Sequence, residues 1–143
     1  MTTLRAATAA DAEALASLSG QLGYPADAAT IARRLDSIAA HDAGVVLAAV
    51  VAKGTPVGFA HVQPRHLLIA EPFAELTALV VAETTRGQHV GSALLAAAEA
   101  WAREQGLTSM RVRSNVIRDR AHSFYLREGY VEKKRQAVFV KRL

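Results

Sequence analysis

Alternating apolar and polar stretches divide this chain into predicted strands and helices. Residues 74–81 lie in a run rich in Leu and Val, which is too short to cross a membrane and dense enough to be a buried strand. Apolar residues at spacings of three and four then predict a helix that ends near Gln105 and Gly106. The same patterns predict strands at residues 3–6, 44–52, 57–68, 107–114, 130–134 and 136–142, and helices at 9–22, 26–40 and 118–128.

The predicted order of elements is β-α-α-β-β-β-α-β-α-β-β, in one domain that spans residues 1–143. Strands that alternate with helices indicate a parallel crossover, whereas hairpins near both ends indicate antiparallel edges. We therefore expect an α/β fold with a mixed sheet and helices on both of its faces. Pro64 lies within a predicted strand, and it indicates an edge position, a bulge or the end of that strand.

The segment between the central strand and the following helix, residues 83–92, carries the strongest chemical signal. Gly87 and Gly91 let the backbone approach a ligand closely and can point N–H groups into one concavity at a helix N-terminus, which favours a phosphate. No Lys-Ser/Thr pair follows the glycines as in a P-loop, and the G-x-G-x-x-G dinucleotide spacing is missing. A turn before a helix, without any ligand, is the alternative interpretation of so short a pattern.

Residues 86–91, RGQHVG, resemble the pyrophosphate loop of the GNAT superfamily of N-acetyltransferases, whose pattern is Q/R-x-x-G-x-G/A. His89 stands where the family's first motif glycine usually stands, and histidine tolerates a positive φ better than a β-branched residue does. The predicted element order matches the GNAT arrangement from end to end. The resemblance implies acetyl-CoA as co-substrate, with its pantetheine arm along the central strand. The implied contacts are Leu79, Val80, Val81, Arg86, Gly87, Gln88, His89, Val90, Gly91 and Ser92.

A second resemblance covers residues 118–130, RDRAHSFYLREGY, which follow the family pattern N-x-x-A-x-x-F/L-Y-x-x-x-G-F/Y. Arg118 stands at the asparagine position, where it could face a CoA phosphate or solvent, and Asn115 could supply the missing amide. In the family, a tyrosine at the place of Tyr125 is the general acid. A phenol with a pKa of about 10 can donate a proton to a thiolate leaving group. A helix aromatic packed in the core is the alternative.

Glu75, on the central strand, is the candidate general base. A primary amine must lose a proton before it attacks, and some family members carry a glutamate here that acts through water. Burial on a strand would make this carboxylate more basic. It could instead orient the cationic acceptor or face solvent. The expected mechanism is direct transfer in a ternary complex, with a tetrahedral oxyanion stabilised by a backbone N–H near Leu79 to Val81 and no covalent enzyme intermediate.

The amino-acid composition excludes several kinds of functional site. The chain has no cysteine, which excludes disulfides, cysteine-zinc sites and cysteine nucleophiles, and its five histidines show no metal-ligand spacing, so no metal is expected. No apolar run of about 18 residues and no signal-peptide pattern occurs, so we expect no membrane span and a cytoplasmic enzyme.

Positive charge concentrates at the C-terminal end. Residues 111–143 hold ten Lys or Arg against three acids, whereas residues 1–110 hold seven against ten. Three explanations are open: a binding surface for the polyanionic CoA, a solvent-exposed face, and a nucleic-acid-binding surface. The sequence contains no recognisable recognition helix or RNA-binding aromatic motif, which argues against nucleic acid.

The acceptor is left open between small-molecule and peptide amines. Its pocket would draw on Tyr24, His61 and His66, although each could equally be a packed or surface side chain. The late apolar residues Val138 and Val140 could pair across a homodimer. A non-catalytic acyl-CoA-binding regulatory domain is the alternative function, and it would not need both Glu75 and Tyr125.

Overall fold

The computed structural model describes residues 2–51, 54–114 and 118–143, and the chain divides into two compact units, Met1–Val112 and Arg113–Leu143. The second unit contains one helix, α4 (Asp119–Arg127), among its described residues. The first unit contains strands β1 (Thr2–Ala6), β2 (Val45–Val51), β3 (Thr55–Leu67), β4 (Ala70–Val81) and β5 (Met110–Val112), and helices α1 (Ala12–Leu22), α2 (Ala28–Ala40) and α3 (Val90–Glu104).

The first unit is built on a mixed sheet, as the sequence predicts. Its strand order is β1-β2-β3-β4-β5, in which the first three pairings are antiparallel and the β4–β5 pairing is parallel. The parallel pair needs a crossover connection, and α3 provides it. The β4–β5 pairing joins only Ala74–Leu76 to Met110–Val112. Pro64 lies beyond Val62, where the β2–β3 pairing ends, so at this proline β3 is locally an edge strand.

Helices cover both faces of this sheet. Leu15 and Leu18 of α1 form a buried cluster with Val80, and Phe59 packs against it. Next to Phe59, Gly58 lies so close to α3 that an added Cβ would be 3.1 Å from the Leu94 side chain. Because neighbouring residues of a strand point to opposite faces, α1 and α3 lie on opposite sides of the sheet.

A charged cluster fixes the junction between β1 and α1. The Arg5 guanidinium donates two hydrogen bonds to the Asp11 carboxylate, at 2.7 and 2.9 Å, and the Thr8 backbone N–H donates to the same carboxylate at 2.8 Å. Asp11 is buried. These donors lower the pKa of Asp11, with the Arg5 hydrogen bonds as the largest cause, whereas burial acts in the opposite direction.

The two strands predicted at residues 130–134 and 136–142 are wrong for this structure, because residues 130–143 form no regular secondary structure. Their apolar residues fit a strand, but a strand also needs a neighbour that accepts and donates its backbone hydrogen bonds. Within the described part of the second unit, no strand is present that could supply such a neighbour. The predicted helix at residues 9–22 begins with a short 3-10 turn, Ala9–Asp11, before α1.

Candidate active site

The loop between β4 and α3 contains two residues in the left-handed region of φ, Gly87 and His89. After the short 3-10 turn Glu83–Thr85, Gly87 has a φ of 86°. His89 also lies in the left-handed region, with φ 62° and ψ 19°, and it is the N-cap of α3. The position of His89 therefore has a positive φ, a conformation that histidine tolerates better than a β-branched residue does. A non-glycine residue held in this region carries local strain, which is typical of ligand-binding turns.

The N-terminus of α3 presents the N–H groups that an α-helix leaves outside its own hydrogen bonds. The N–H of Ala93 makes the first hydrogen bond of the helix, to the carbonyl of His89 at 3.1 Å. The N–H groups of Val90, Gly91 and Ser92 come before it and have no carbonyl acceptor within the helix. The His89 side chain makes no capping hydrogen bond to them. These N–H groups and the positive end of the helix dipole fit the pyrophosphate of acetyl-CoA.

Strand β4 has a bulge at Thr77, two residues after Glu75, and an open edge beyond this bulge. Leu76 pairs with Val62 and Ala78 with His61, so Thr77 is the extra residue, and its hydroxyl donates to the His61 carbonyl at 3.2 Å. On the other side of β4, the pairing with β5 stops at Leu76. Within residues 2–51 and 54–112, no strand pairs with that side of residues 77–81. This edge, which includes Leu79, Val80 and Val81, can accept an extended ligand as an added strand.

Glu75 is buried on β4 and paired with an arginine. Its side chain is 7 % exposed, and its Oε2 accepts a hydrogen bond from Nη1 of Arg65 at 2.8 Å. Arg65 belongs to β3, directly opposite Phe73 in the register. The ion pair fixes the direction of the carboxylate on one face of the sheet. Burial of Glu75 was expected from the sequence, and this arginine partner was not.

A second arginine lies on the other flank of Glu75. Arg111 of β5 is the cross-strand neighbour of Glu75, and its guanidinium lies 4.0 Å from the centre of the Phe73 ring. The Phe73 side chain is fully buried. Sequence reasoning identified neither Arg65 nor Arg111 as a site residue. The available signal was that each arginine lies on a predicted strand, Arg65 on residues 57–68 and Arg111 on residues 107–114.

The second unit contains the other two described site candidates. Burial raises the pKa of Tyr125, and the positive charge of Arg118 acts in the opposite direction with a smaller effect. The Tyr125 ring makes edge contacts with Phe124 and Tyr130, with centroids 5.2 and 5.9 Å apart. Tyr125 is therefore a phenol that stays protonated through the neutral range. Its role as general acid, and the CoA contact of Arg118, remain predictions.

The remaining candidates from the sequence are Asn115, Tyr24, His66 and His61. Asn115 lies outside the described residues. Tyr24 is 70 % exposed, and His66 is exposed near the end of β3. His61 is half-buried, with Nε2 3.0 Å from the carbonyl oxygen of Ala43, which supports the structural interpretation of this side chain.

The described ranges 2–51, 54–114 and 118–143 contain no cluster of three or more side chains arranged to hold a metal ion. No helix among them is long and apolar enough to cross a bilayer.

Comparison with known proteins agrees with this geometry. The family model described as "Acetyltransferase (GNAT) family" matches residues 12–130. An aminoglycoside N(6')-acetyltransferase type 1 of Stenotrophomonas maltophilia is 36% identical over 141 residues, which cover 96% of this chain and 91% of that protein. An aminoalkylphosphonate N-acetyltransferase of Salmonella typhimurium is 48% identical over 65 residues, which cover 46% of this chain and 42% of that protein.

A solved structure has the same fold. The aminoglycoside acetyltransferase AAC(6')-Iy, in complex with the bisubstrate analogue CoA-S-monomethyl-acetylneamine, superposes with a TM-score of 0.86 at 21% identity. The match covers 100% of this chain and 99% of that one.

The chain belongs to the GNAT family of acetyltransferases. It is an N-acetyltransferase that uses acetyl-CoA as co-substrate and transfers the acetyl group to an amine. This finding favours the enzyme over the non-catalytic acyl-CoA-binding domain.

Proposed function

We propose that this enzyme acetylates the primary amine of a small molecule by direct transfer within a ternary complex. The observation that carries the proposal is the 36% identity to an aminoglycoside acetyltransferase across 96% of the chain. Binding both reactants together supplies proximity, so that no covalent enzyme intermediate is needed. The chain also contains no cysteine that could form a thioester intermediate.

The proposed roles follow the chemistry of the transfer. Acetyl-CoA supplies the activated acetyl group. The α3 N-terminus and residues 86–92 hold its pyrophosphate, and the open edge of β4 binds the pantetheine arm. Glu75 draws a proton from the acceptor amine, directly or through water, and Tyr125 donates one to the departing sulfur. The support is the conformation of the loop, the burial of Glu75 and the raised pKa of Tyr125.

The test is a mass-spectrometric screen with purified protein, acetyl-CoA and separate pools of aminoglycosides, aminoalkylphosphonates, amino acids, diamines and peptides. We expect an increase of 42 Da in at least one small amine, together with release of free CoA thiol. Acetylation confined to peptides would contradict the small-molecule proposal. Tight binding of acetyl-CoA with no acetylated product in any pool would contradict catalysis and support the non-catalytic alternative.

We also propose that the protein forms a homodimer in which residues 136–143 of each copy pair with the other copy. Val138, Phe139 and Val140 are 79 %, 93 % and 88 % exposed, a strand-like sequence without a strand partner in the described part of its own unit. Light scattering of the full chain should give about twice the monomer mass, and deletion of residues 136–143 should give the monomer mass. A monomeric full chain would contradict the proposal. A cytoplasmic location stays a prediction from the sequence, which cell fractionation can test.

A further inference from the structure

We propose that the acceptor amine also carries an anionic group, and that Arg111, assisted by Arg65, binds this group beside Glu75. The inference rests on the proposed function, because it takes Glu75 as the residue that receives the amine.

The register of the sheet places these side chains on one face. Glu75 is the direct neighbour of Arg111 on β5, and Phe73 is the direct neighbour of Arg65 on β3. Residues two apart on a strand share a face, and so do directly opposite residues on neighbouring strands. The Arg65–Glu75 ion pair and the stacking of Arg111 on Phe73 agree with this placement.

Arg111 is the second guanidinium group beside Glu75. Of these two arginines, it is Arg65 that pairs with the carboxylate, at 2.8 Å. In the part of the chain that the structure describes, no carboxylate forms an ion pair with Arg111. Arg111 therefore contributes a positive charge that an acceptor can neutralise.

The stacking of Arg111 also suits it to bind an anion. Its guanidinium carbon lies over the Phe73 ring, 4.0 Å from the ring centre, and this cation–π contact holds the group in place. A guanidinium presents a planar fork of donors that matches the oxygens of a phosphonate, phosphate or carboxylate.

The spacing of Arg111 and Glu75 determines which amines fit as acceptors. Neighbouring strands are about 4.8 Å apart, so an anion at Arg111 and an amine at Glu75 would belong to one short molecule. A zwitterionic aminoalkyl phosphonate, phosphate or carboxylate fits both charges. A polycationic acceptor would bring positive charge toward Arg111 and gain no partner for it.

The test compares acceptors that differ mainly in charge: 2-aminoethylphosphonate, ethanolamine, putrescine and an aminoglycoside. With wild-type enzyme we expect kcat/KM for the phosphonate to exceed that for ethanolamine by at least about tenfold, an amount that one charge-assisted contact can supply. Arg111→Gln should raise KM for the phosphonate by roughly 10- to 100-fold, and the ratio of kcat/KM for the phosphonate to kcat/KM for ethanolamine should fall by the same factor. Arg111→Lys keeps the positive charge but lacks the planar pair of N–H donors, so it should restore part of the preference for the phosphonate over ethanolamine.

Arg34→Gln is the matched control, because Arg34 is an exposed arginine on α2. It should leave every acceptor unchanged, and a thermal melt of each variant reports whether it folds. Equal kcat/KM for the phosphonate and ethanolamine in wild type would overturn the inference, as would a preference that survives in both Arg111 variants. A preferred aminoglycoside would overturn it while upholding acetyl transfer, whereas no acetylation of any amine would refute the proposed function itself.

Discussion

Two side chains, Glu75 and Tyr125, account for the proton transfers proposed for this enzyme. Tyr125 is half-buried, and burial raises its pKa because the phenolate loses solvation. The group therefore remains a proton donor through the neutral range. Glu75 is buried on β4, where the hydrogen bond from Arg65 holds its carboxylate in one orientation.

Replacing Tyr125 by Phe should slow acyl transfer by roughly 10- to 1000-fold, the usual span for one general acid. The phenyl ring keeps the edge contacts to Phe124 and Tyr130, so packing and acetyl-CoA affinity should stay within a few fold. Single-turnover rates with bound acetyl-CoA measure the step apart from product release. Wild-type rates combined with much weaker binding would mark Tyr125 as a cofactor contact only.

Replacing Glu75 by Gln should lower turnover most at mildly acidic pH and less as the pH approaches the pKa of the acceptor amine. A base matters least when the amine is already neutral, and a lysine-like amine reaches that state near a pKa of about 10.4. Arg34→Gln, at an exposed position on α2, is the control and should leave the pH profile unchanged. A loss of equal size at every pH would instead identify Glu75 as a binding residue.

At the scale of elements, the junction of β1 with α1 depends on one carboxylate. Asp11 accepts hydrogen bonds from Arg5 and from the Thr8 N–H, and these lower its pKa. A lowered pKa means that the stabilisation is present above the ordinary carboxyl pKa and is lost as pH falls through the folded-state value. Asp11→Asn should cost about 1–3 kcal/mol at pH 7, the range for hydrogen bonds to a charged group.

Chemical denaturation at several pH values measures this effect. The difference between wild type and Asp11→Asn should shrink as the pH falls below the ordinary carboxyl range, because the wild-type carboxylate then becomes protonated. Asp36→Asn, at an exposed position on α2, is the control and should change stability by less than about 0.5 kcal/mol. A difference that stays constant with pH would contradict the electrostatic explanation.

The first turn of α3 is the second element on which function depends. Gly91→Glu should abolish acetyl-CoA binding in calorimetric titration, because a carboxylate would occupy the space and the positive field that suit a pyrophosphate. The helix itself should survive, since acidic residues are favourable in a first turn. Gly91→Gln is the isosteric neutral control and should bind more tightly than the Glu variant. Unchanged affinity in a folded Glu variant would contradict the loop assignment.

At the scale of the whole molecule, β3, β4 and α3 pack so closely at Gly58 that there is little space for a side chain there. An added Cβ at Gly58 would lie 2.9 Å from the Val80 carbonyl oxygen and 3.1 Å from the Leu94 side chain. Gly58→Ala should therefore destabilise the protein by about 1–3 kcal/mol, the usual cost of overpacking. Gly20→Ala is the matched control, because no atom lies within 4 Å of its added Cβ on α1, and it should be neutral or stabilising. Equal effects in thermal denaturation would contradict this packing argument.

The sequence by itself determined the elements that depend on local pattern. The apolar runs and the glycines predicted the order through α4, the mixed sheet and the phosphate-type loop, because periodicity, turn chemistry and helix termini are properties of neighbouring residues. The loop pattern at residues 86–91 and the position of Glu75 on its strand were also readable from sequence. The strands expected at residues 130–142 were not formed, since a strand depends on a partner that its own residues do not specify.

Only the tertiary structure decided which distant side chains meet. The Arg65–Glu75 ion pair depends on the register of β3 against β4, including the bulge at Thr77, and the neighbour relation of Arg111 depends on where β5 enters the sheet. A shift of one residue in either register would turn these side chains to the other face. Such registers are fixed by the packing of whole elements, so the charges that surround Glu75 followed from the fold.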